Sequence, residues 1–471
     1  MHGDIPTYRE PAAGLAGPPL KPLEEAPTTD VRGSLQPWPR PRTAWYALII
    51  LTLATMMNFF GVYVFPLMVQ SIKRDFALTD MEIGLLLGPA GIFFFIFVGI
   101  PLARLVDIYP RRIILGIGLV FTSACTVLGG FVQSYAQMFA SRIFVGVGGS
   151  AHGPGCYSMI ADYFPPAKLP RAFAVLQFGF IFGTGLASIV GGALLGLVAG
   201  WPPTHLGPLL IRNWQWVLIM VGAPGLVIAA LVYLLPEPAR RGKVASAATL
   251  PVREVFREIG RRRAVYFPLF LGLALSSIEA GGLLEWRPAW MMRTYGWSAA
   301  RVGFWQGITF FVGLPLGVLF GTWLTEQLAK RHKDANVRVT TILFTLAIPC
   351  AVISPLLRSG LAALILGSMS GVFGVASAVP QNAAIQTITP NEMRGQVTAV
   401  YLFMFTVFQA LGSLFIAAFN QYVIGVESEL WKTLCFTALI IMPLAAWAIS
   451  RGVRPYGAEI VRLETEGLLR T

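Results

Sequence analysis

Asp107 is followed by Arg111 and Arg112, four and five residues on, in the stretch FVGIPLARLVDIYPRR that closes one apolar run and opens the next. Glu326 stands in the same relation to Lys330 and Arg331 in GTWLTEQLAKR, 219 residues later. The gap between the flanking apolar runs leaves room for a tight turn at a membrane face and little else. An acid so placed is suited to electrostatic latching. A carboxylate at a helix N-terminus is attracted by the partial positive charge there, by about 0.3–2 kcal/mol. Arg111 and Arg112 alone would also serve as a topology anchor, a reading that leaves Asp107 unexplained. A looser repeat supports the pairing. DYFPPAKLPR, from Asp162 to Arg171, opens one helix, and TPNEMR, from Thr389 to Arg394, opens another about 224 residues on. The chain is therefore read as two related halves, a pattern common among secondary transporters.

Inside the apolar runs ionisable groups are sparse. Glu279 precedes Gly281 and Gly282, and a carboxyl at that depth needs a proton, a partner or water. It is a candidate for substrate binding or proton coupling, or else a neutral hydrogen-bonding group between helices. His152, before Gly153-Pro154-Gly155, titrates near neutral pH and could relay protons, or simply fill space. Arg142 is the one cation in the core of the first half and the first candidate for an anionic headgroup; a structural role on backbone carbonyls is the alternative. Asn58, Gln177, Gln306 and Gln381, with Asn382 and Gln409, are uncharged candidates for a cavity wall or for interhelical hydrogen bonds. Tyr63, Phe94, Phe182, Trp286 and Phe310 would line an apolar cavity.

These residues need a scaffold, and composition names it. Of 471 residues, 55% are hydrophobic and 13% charged, against about 25% charged in soluble domains; mean hydropathy is +0.66. The reading is an all-α membrane protein with twelve spans: 44–70, 80–103, 112–132, 135–162, 170–199, 213–235, 264–292, 299–324, 338–357, 361–388, 394–424 and 430–450. Thr79-Asp80-Met81-Glu82 has capping-box form at the start of the second. Several spans exceed twenty residues, which implies tilt or extension beyond the hydrocarbon.

Residues 1–42, rich in Pro and charge, read as a disordered cytoplasmic tail without the apolar core of a signal peptide. Residues 43–235 and 264–451 form two six-helix bundles, 236–263 a linker and 452–471 a second tail. VREVFREI in the linker has the spacing of a short amphipathic helix lying on the membrane surface. An even span number puts both ends on one side. That side carries 27 of the 36 Lys and Arg, the other side 8 with Arg287 among them, and Arg142 lies within a span. The termini are expected in the cytoplasm, at a bacterial inner membrane. The net charge of +13 is thus spent on topology, with membrane lipids as neighbours and no nucleic-acid partner. Cys125, Cys156, Cys350 and Cys435 stand singly without metal or disulfide spacing. No cofactor and no metal is expected, and the chain is read as a monomer.

The chain resembles the major facilitator superfamily. The resemblance rests on Asp107 with Arg111-Arg112, SRIFVGVG from Ser141 to Gly148, the glycines of the fifth span (Gly179, Gly183, Gly185, Gly191, Gly192), Trp214-Gln215-Trp216 and Pro236-Glu237-Pro238. It covers about residues 40–455. Three stretches, SIKRDF from Ser71, EWRPAWMMR from Glu285 and GTWLTEQLAKR from Gly321, look like the spinster-type branch and its bacterial relatives. That resemblance implies alternating access, with a site between the halves. The substrate would be a small amphipathic or anionic organic solute such as a lysolipid or sphingoid phosphate, moved with or without proton coupling. A sugar acid, another organic anion or a drug is the alternative within the superfamily. It further implies a cytoplasmic gate in which Asp107 faces the start of the eleventh span, from Pro390 to Arg394, and Glu326 faces the start of the fifth, from Pro166 to Arg171. Such relatives carry Asp-Arg where this chain has Gly61-Val62, and Glu where it has Gly149, so their coupling site cannot be carried over. Losing all three charges together is physically coherent, because losing one would strand the others at about 3–5 kcal/mol. A polytopic membrane enzyme built on His152 is the remote rival; Asp162, its one acid on the same helix, lies about 15 Å along the axis. A channel is the third class, which the paired latches argue against.

Overall fold

The computed structural model describes residues 37–91, 98, 101–102, 105–106, 108–150, 152–241, 252–390 and 393–466. Asp107 and Phe94 fall outside the described residues, as do residues 1–36 of the expected N-terminal tail.

The chain is a succession of helices. In the first half they are α1 (Pro41–Asp75), α2 (Asp80–Leu87), α3 (Arg111–Leu128), α4 (Tyr135–Gly149), α5 (His152–Tyr163), α6 (Leu169–Val198) and α7 (Asn213–Tyr233). After α8 (Val252–Arg261) come α9 (Arg263–Tyr295), α10 (Ala299–Ala329), α11 (Ala335–Ile353), α12 (Gly360–Ile388), α13 (Arg394–Phe419) and α14 (Leu430–Thr465). Among the described residues ten helices are long and apolar enough to cross a membrane. The other two expected spans are described in part. α2 opens 80–103, while α4 and α5 stand on either side of residue 151 in 135–162. α9, with 33 residues, is about 50 Å long at 1.5 Å per residue and outruns a hydrocarbon core of about 30 Å.

Local chemistry accounts for two of the helix starts. Pro41 opens α1 at the position where its missing N–H costs no hydrogen bond. Thr79 Oγ1 accepts from Glu82 N at 3.2 Å, and Glu82 Oε2 accepts from Thr79 N at 2.8 Å, so the capping box at α2 is formed. Two features were not legible. A small antiparallel hairpin, β1 (Thr204–Leu206) with β2 (Leu209–Ile211), joins α6 to α7 through Gly207 at φ +60°. And α14 does not end at the expected tail boundary of 452. It continues as helix to Thr465 because Tyr456, Ile460 and Leu463 are buried, the first two in one apolar cluster with Val255 of α8 and Tyr266 of α9.

The apolar packing is asymmetric between the two faces. At one face a single buried cluster takes in both halves, with Phe65, Met68 and Leu86 beside Leu283, Trp286, Trp290 and Ile416. Towards the other face each half keeps its own cluster. Leu48, Ile160, Leu176 and Leu235 form one, and Tyr266, Phe344, Ile388 and Ile460 the other. Arg241 Nη2 donates to Pro37 O at 3.0 Å.

Candidate functional site

The shared face is sealed by glycine contacts and by a buried ion cluster. α6 lies on α10 so closely that a Cβ at Gly303 would fall 2.2 Å from Ser188 O, and one at Gly192 2.9 Å from Ala299 O. α2 meets α13 the same way: a Cβ at Gly88 would fall 2.1 Å from Ala410 O, and Ser413 Oγ donates to Gly84 O at 3.0 Å. Beside this contact, Asp80 is 3% exposed and takes a two-pronged pair from Arg293, Nη1 to Oδ2 at 2.8 Å and Nη2 to Oδ1 at 2.7 Å. Lys73 also pairs with Asp80 and reaches Glu427 at 2.6 Å. Asn420 Nδ2 donates to Asp80 Oδ2 at 2.9 Å, and Thr433 Oγ1 donates to Asn420 Oδ1 at 2.8 Å. α1 ends and α14 begins at this cluster, so both described ends of the chain lie towards the other face.

On the termini side of the seal lies a cavity of about 740 Å³ with walls from both halves: Asn58, Tyr63, Arg142, His152 and Gln177 from the first, and Glu285, Leu402, Phe405 and Gln409 from the second. Arg142 is 5% exposed. Its guanidinium stands over the Phe65 ring at 4.3 Å, and its Nε and Nη2 have no hydrogen-bond partner. Arg142 lines the cavity, and a guanidinium with spare donors suits an anion. His152 is more tightly bound. Thr55 Oγ1 lies 2.8 Å from Leu51 O, one helical turn back. The imidazole Nε2 is hydrogen-bonded to Thr55 Oγ1 at 2.9 Å. Gln177 accepts from Tyr157 OH at 3.1 Å. Asn58 Oδ1 lies 3.1 Å from where a Cβ at Gly149 would be, so Asn58 holds the space that a longer side chain at 149 would need.

A second cavity, of about 270 Å³, lies against the first; Tyr63, Phe180, Leu284, Phe405 and Gln409 are common to both walls. Glu279 and Gln381 line it, the latter accepting from Tyr401 OH at 3.1 Å. Arg287 lines it too, and this corrects its placement among the basic residues of the outer side. It is 3% exposed, because its guanidinium donates to Ser368 Oγ and Gly367 O, each at 3.3 Å, along the inner side of α12. Gln306 is buried on α10 outside the walls of both cavities. Glu285 was quoted in the sequence only as part of a stretch. Its place eight residues before Arg293 on α9 was the available signal.

The expected gate residues divide. Arg111 is 2% exposed and belongs to the interior of the first half, where it pairs with Asp162 and, at 2.9 Å, with Glu237. Backbone N of Arg112 donates to Glu237 Oε2 at 3.0 Å. Glu326, Lys330, Arg331 and Arg394 are exposed; Lys330 donates to Gln327 at 3.0 Å and Arg394 Nε to Gln386 O at 2.9 Å, each within its own half.

A sequence model of the Major Facilitator Superfamily matches residues 51–456. The chain is 26% identical over 390 residues to an MFS-type efflux pump of Mycolicibacterium smegmatis, covering 83% of this chain and 85% of that one. It is 24% identical over 306 residues to protein spinster of Drosophila melanogaster, covering 63% of this chain and 48% of spinster. Its fold matches, at a TM-score of 0.75 and 22% identity over 91% of this chain and 99% of the other, a solved bacterial homologue of the human lysosomal transporter Spinster in an inward-facing, unoccupied conformation. With two helical halves around a shared cavity, and a matching sequence model over most of its length, the chain belongs to the Major Facilitator Superfamily.

Proposed function

We propose that the protein is a secondary transporter moving a small amphipathic or anionic organic solute across a bacterial inner membrane by alternating access. The observation that carries the reading is the central cavity, walled by both halves and lined by Arg142, whose Nε and Nη2 have no hydrogen-bond partner. A cation at membrane depth without a counter-charge is costly, and an anionic headgroup supplies one. The likeness to an efflux pump and to spinster supports export of a lipid-like or drug-like solute. The basic residues around the termini face support its assignment to the cytoplasmic side; on that reading the open cavity faces inward and the Asp80 cluster closes the outer face. The test is flux in liposomes containing the purified chain, with lysophospholipid, sphingoid phosphate, sugar acid and cationic drug offered in turn. The expected result is saturable uptake of an anionic member, accelerated by the same solute on the far side. Non-saturable flux, or no flux of any anion, would remove the proposal. Coupling to protons would show as uptake driven by an imposed pH gradient alone.

A further inference from the structure

Helix α8, outside both cavities, has two unlike faces. One is taken up by the protein itself. Val255 is 1% exposed and shares an apolar cluster with Tyr266 of α9 and Ile460 of α14, against which Ile259 also packs. Glu258 and Arg262 fall on the same stripe at helical spacing and pair at 2.8 Å. Arg262 also reaches Glu459 of α14 at 3.4 Å and donates to Ile388 O at the end of α12. The apolar stripe is thereby buried against the second half and is not free to lie on lipid. The other face is exposed and basic, with Arg253, Phe256, Arg257, Gly260 and Arg261, and Arg263 follows at the start of α9. From Val252 to Arg263 the chain carries five arginines and two glutamates. Glu258 is turned inwards to Arg262, and Glu254 pairs with Arg257 at 2.5 Å.

We propose that this outward face of α8 is a docking surface for the anionic phospholipid headgroups of the membrane in which the protein sits. Its level fits. Arg451 of α14 stands over the exposed Trp447 ring at 5.0 Å, a base on an aromatic of the kind that marks a membrane–water interface. Glu459, which Arg262 reaches, is eight residues beyond Arg451, a rise of about 12 Å. On α9, Phe267 is 64% exposed and lies one turn after Arg263, a rise of about 6 Å. The guanidinium fork matches a phosphate, and a negatively charged leaflet attracts bases held beside it. Phe256, 58% exposed between Arg253 and Arg257, favours a membrane over a soluble acidic partner, because aromatic rings among bases suit the headgroup level.

The test uses the purified full-length chain in a non-ionic detergent and follows its thermal unfolding midpoint, which a ligand of the folded state raises. Dioleoylphosphatidylglycerol and dioleoylphosphatidylcholine are titrated in separately. The parent should bind the anionic lipid about tenfold more tightly or better. The triple variant Arg253→Gln, Arg257→Gln, Arg261→Gln should lose that preference and keep the midpoint of the lipid-free protein, since all three side chains are exposed. The same charge removed at Lys330, Arg331 and Lys333, exposed beyond α10, should leave the preference in place. If the triple variant does not fold, Arg253→Gln decides alone and should weaken binding of the anionic lipid about fivefold, the contribution of one base near such a surface. Inorganic phosphate and soluble polyglutamate are the remaining probes, and neither should move the midpoint through these arginines. A shift from either that the triple variant abolishes would assign the face to a soluble anion or an acidic protein and overturn the proposal. An unchanged preference in the triple variant, or an equal loss in the Lys330 variant, would overturn it as well.

Discussion

Arg293 of α9 grips Asp80 at the start of α2 with both terminal nitrogens, at 2.7 and 2.8 Å, and so ties the two halves together at the face away from the termini. The pair is almost fully shielded, with side-chain exposures of 7% and 2%. Removing one member of such a buried pair costs about 3–5 kcal/mol, because the remaining charges lose their partner in a dry site. The cost falls on the conformation in which the pair exists.

Asp80→Asn should therefore open the sealed face. Spin labels at Arg74→Cys and Val426→Cys, on exposed positions of opposite halves, should move apart in a background without native cysteines. Glu427→Gln is the contrasting variant. Its partner Lys73 is buried but Glu427 is 63% exposed, and such pairs are worth about 0–1 kcal/mol, so the label distance should stay as it is. Equal responses of the two variants would mean that the cluster does not hold the face shut.

The glycine contact makes an independent case. Gly303→Ala places a methyl group 2.2 Å from Ser188 O, and backbone on both sides cannot yield as a flexible side chain does. The same label pair should lengthen in Gly303→Ala and transport should fall, while the isolated fold is retained. Gly200→Ala, which meets open space, should change neither. Retained transport in Gly303→Ala would show that α6 and α10 need not close this tightly.

Much of the fold could be read from the chain because a membrane imposes it. Apolar length, basic flanks and the repeated acid-base-base spacing are local signals. The site was legible in part. Arg142, His152, Asn58 and Gln177 meet in one cavity, since buried polar residues in long apolar runs are few. The ion cluster was not legible. Asp80 and Arg293 are 213 residues apart, and a charge at a helix end looks the same in sequence whether water or another helix faces it. Arg287 illustrates the same limit from within one helix. Near the end of its apolar run it read as a flanking base, yet Ser368 and Gly367, on a distant span, draw it inward.

Arg142→Gln removes the charge and keeps a hydrogen-bonding group. If the guanidinium receives the substrate anion, KM for an anionic substrate should rise at least tenfold, which corresponds to about 1.4 kcal/mol. Charge-assisted hydrogen bonds contribute about 1.5–3 kcal/mol. Arg142→Lys should recover only part, because the forked geometry is lost. A KM unchanged in Arg142→Gln, with kcat reduced, would instead make Arg142 a packing residue held on the Phe65 ring.

The two basic pairs that look alike in sequence should behave differently on substitution. Arg111 is 2% exposed and engages Asp162, Glu237, Ser158 and Pro238 within one half. Arg111→Ala should lower thermal stability by about 3–5 kcal/mol, through the first half, whichever face is open. Glu326 and Lys330 are exposed in the present state, and a latch from Glu326 to the start of α6 would form only when the termini face closes. Glu326→Gln should leave thermal stability alone and shift the equilibrium towards the termini-open state by up to about 2 kcal/mol, the scale of a carboxylate at a helix N-terminus. Spin labels at Lys168→Cys and Lys330→Cys, on opposite halves at that face, would report the shift as loss of the short-distance population. If Arg111→Ala proves as stable as the parent while moving those labels, the buried pair is itself the latch, and the distinction drawn from burial fails.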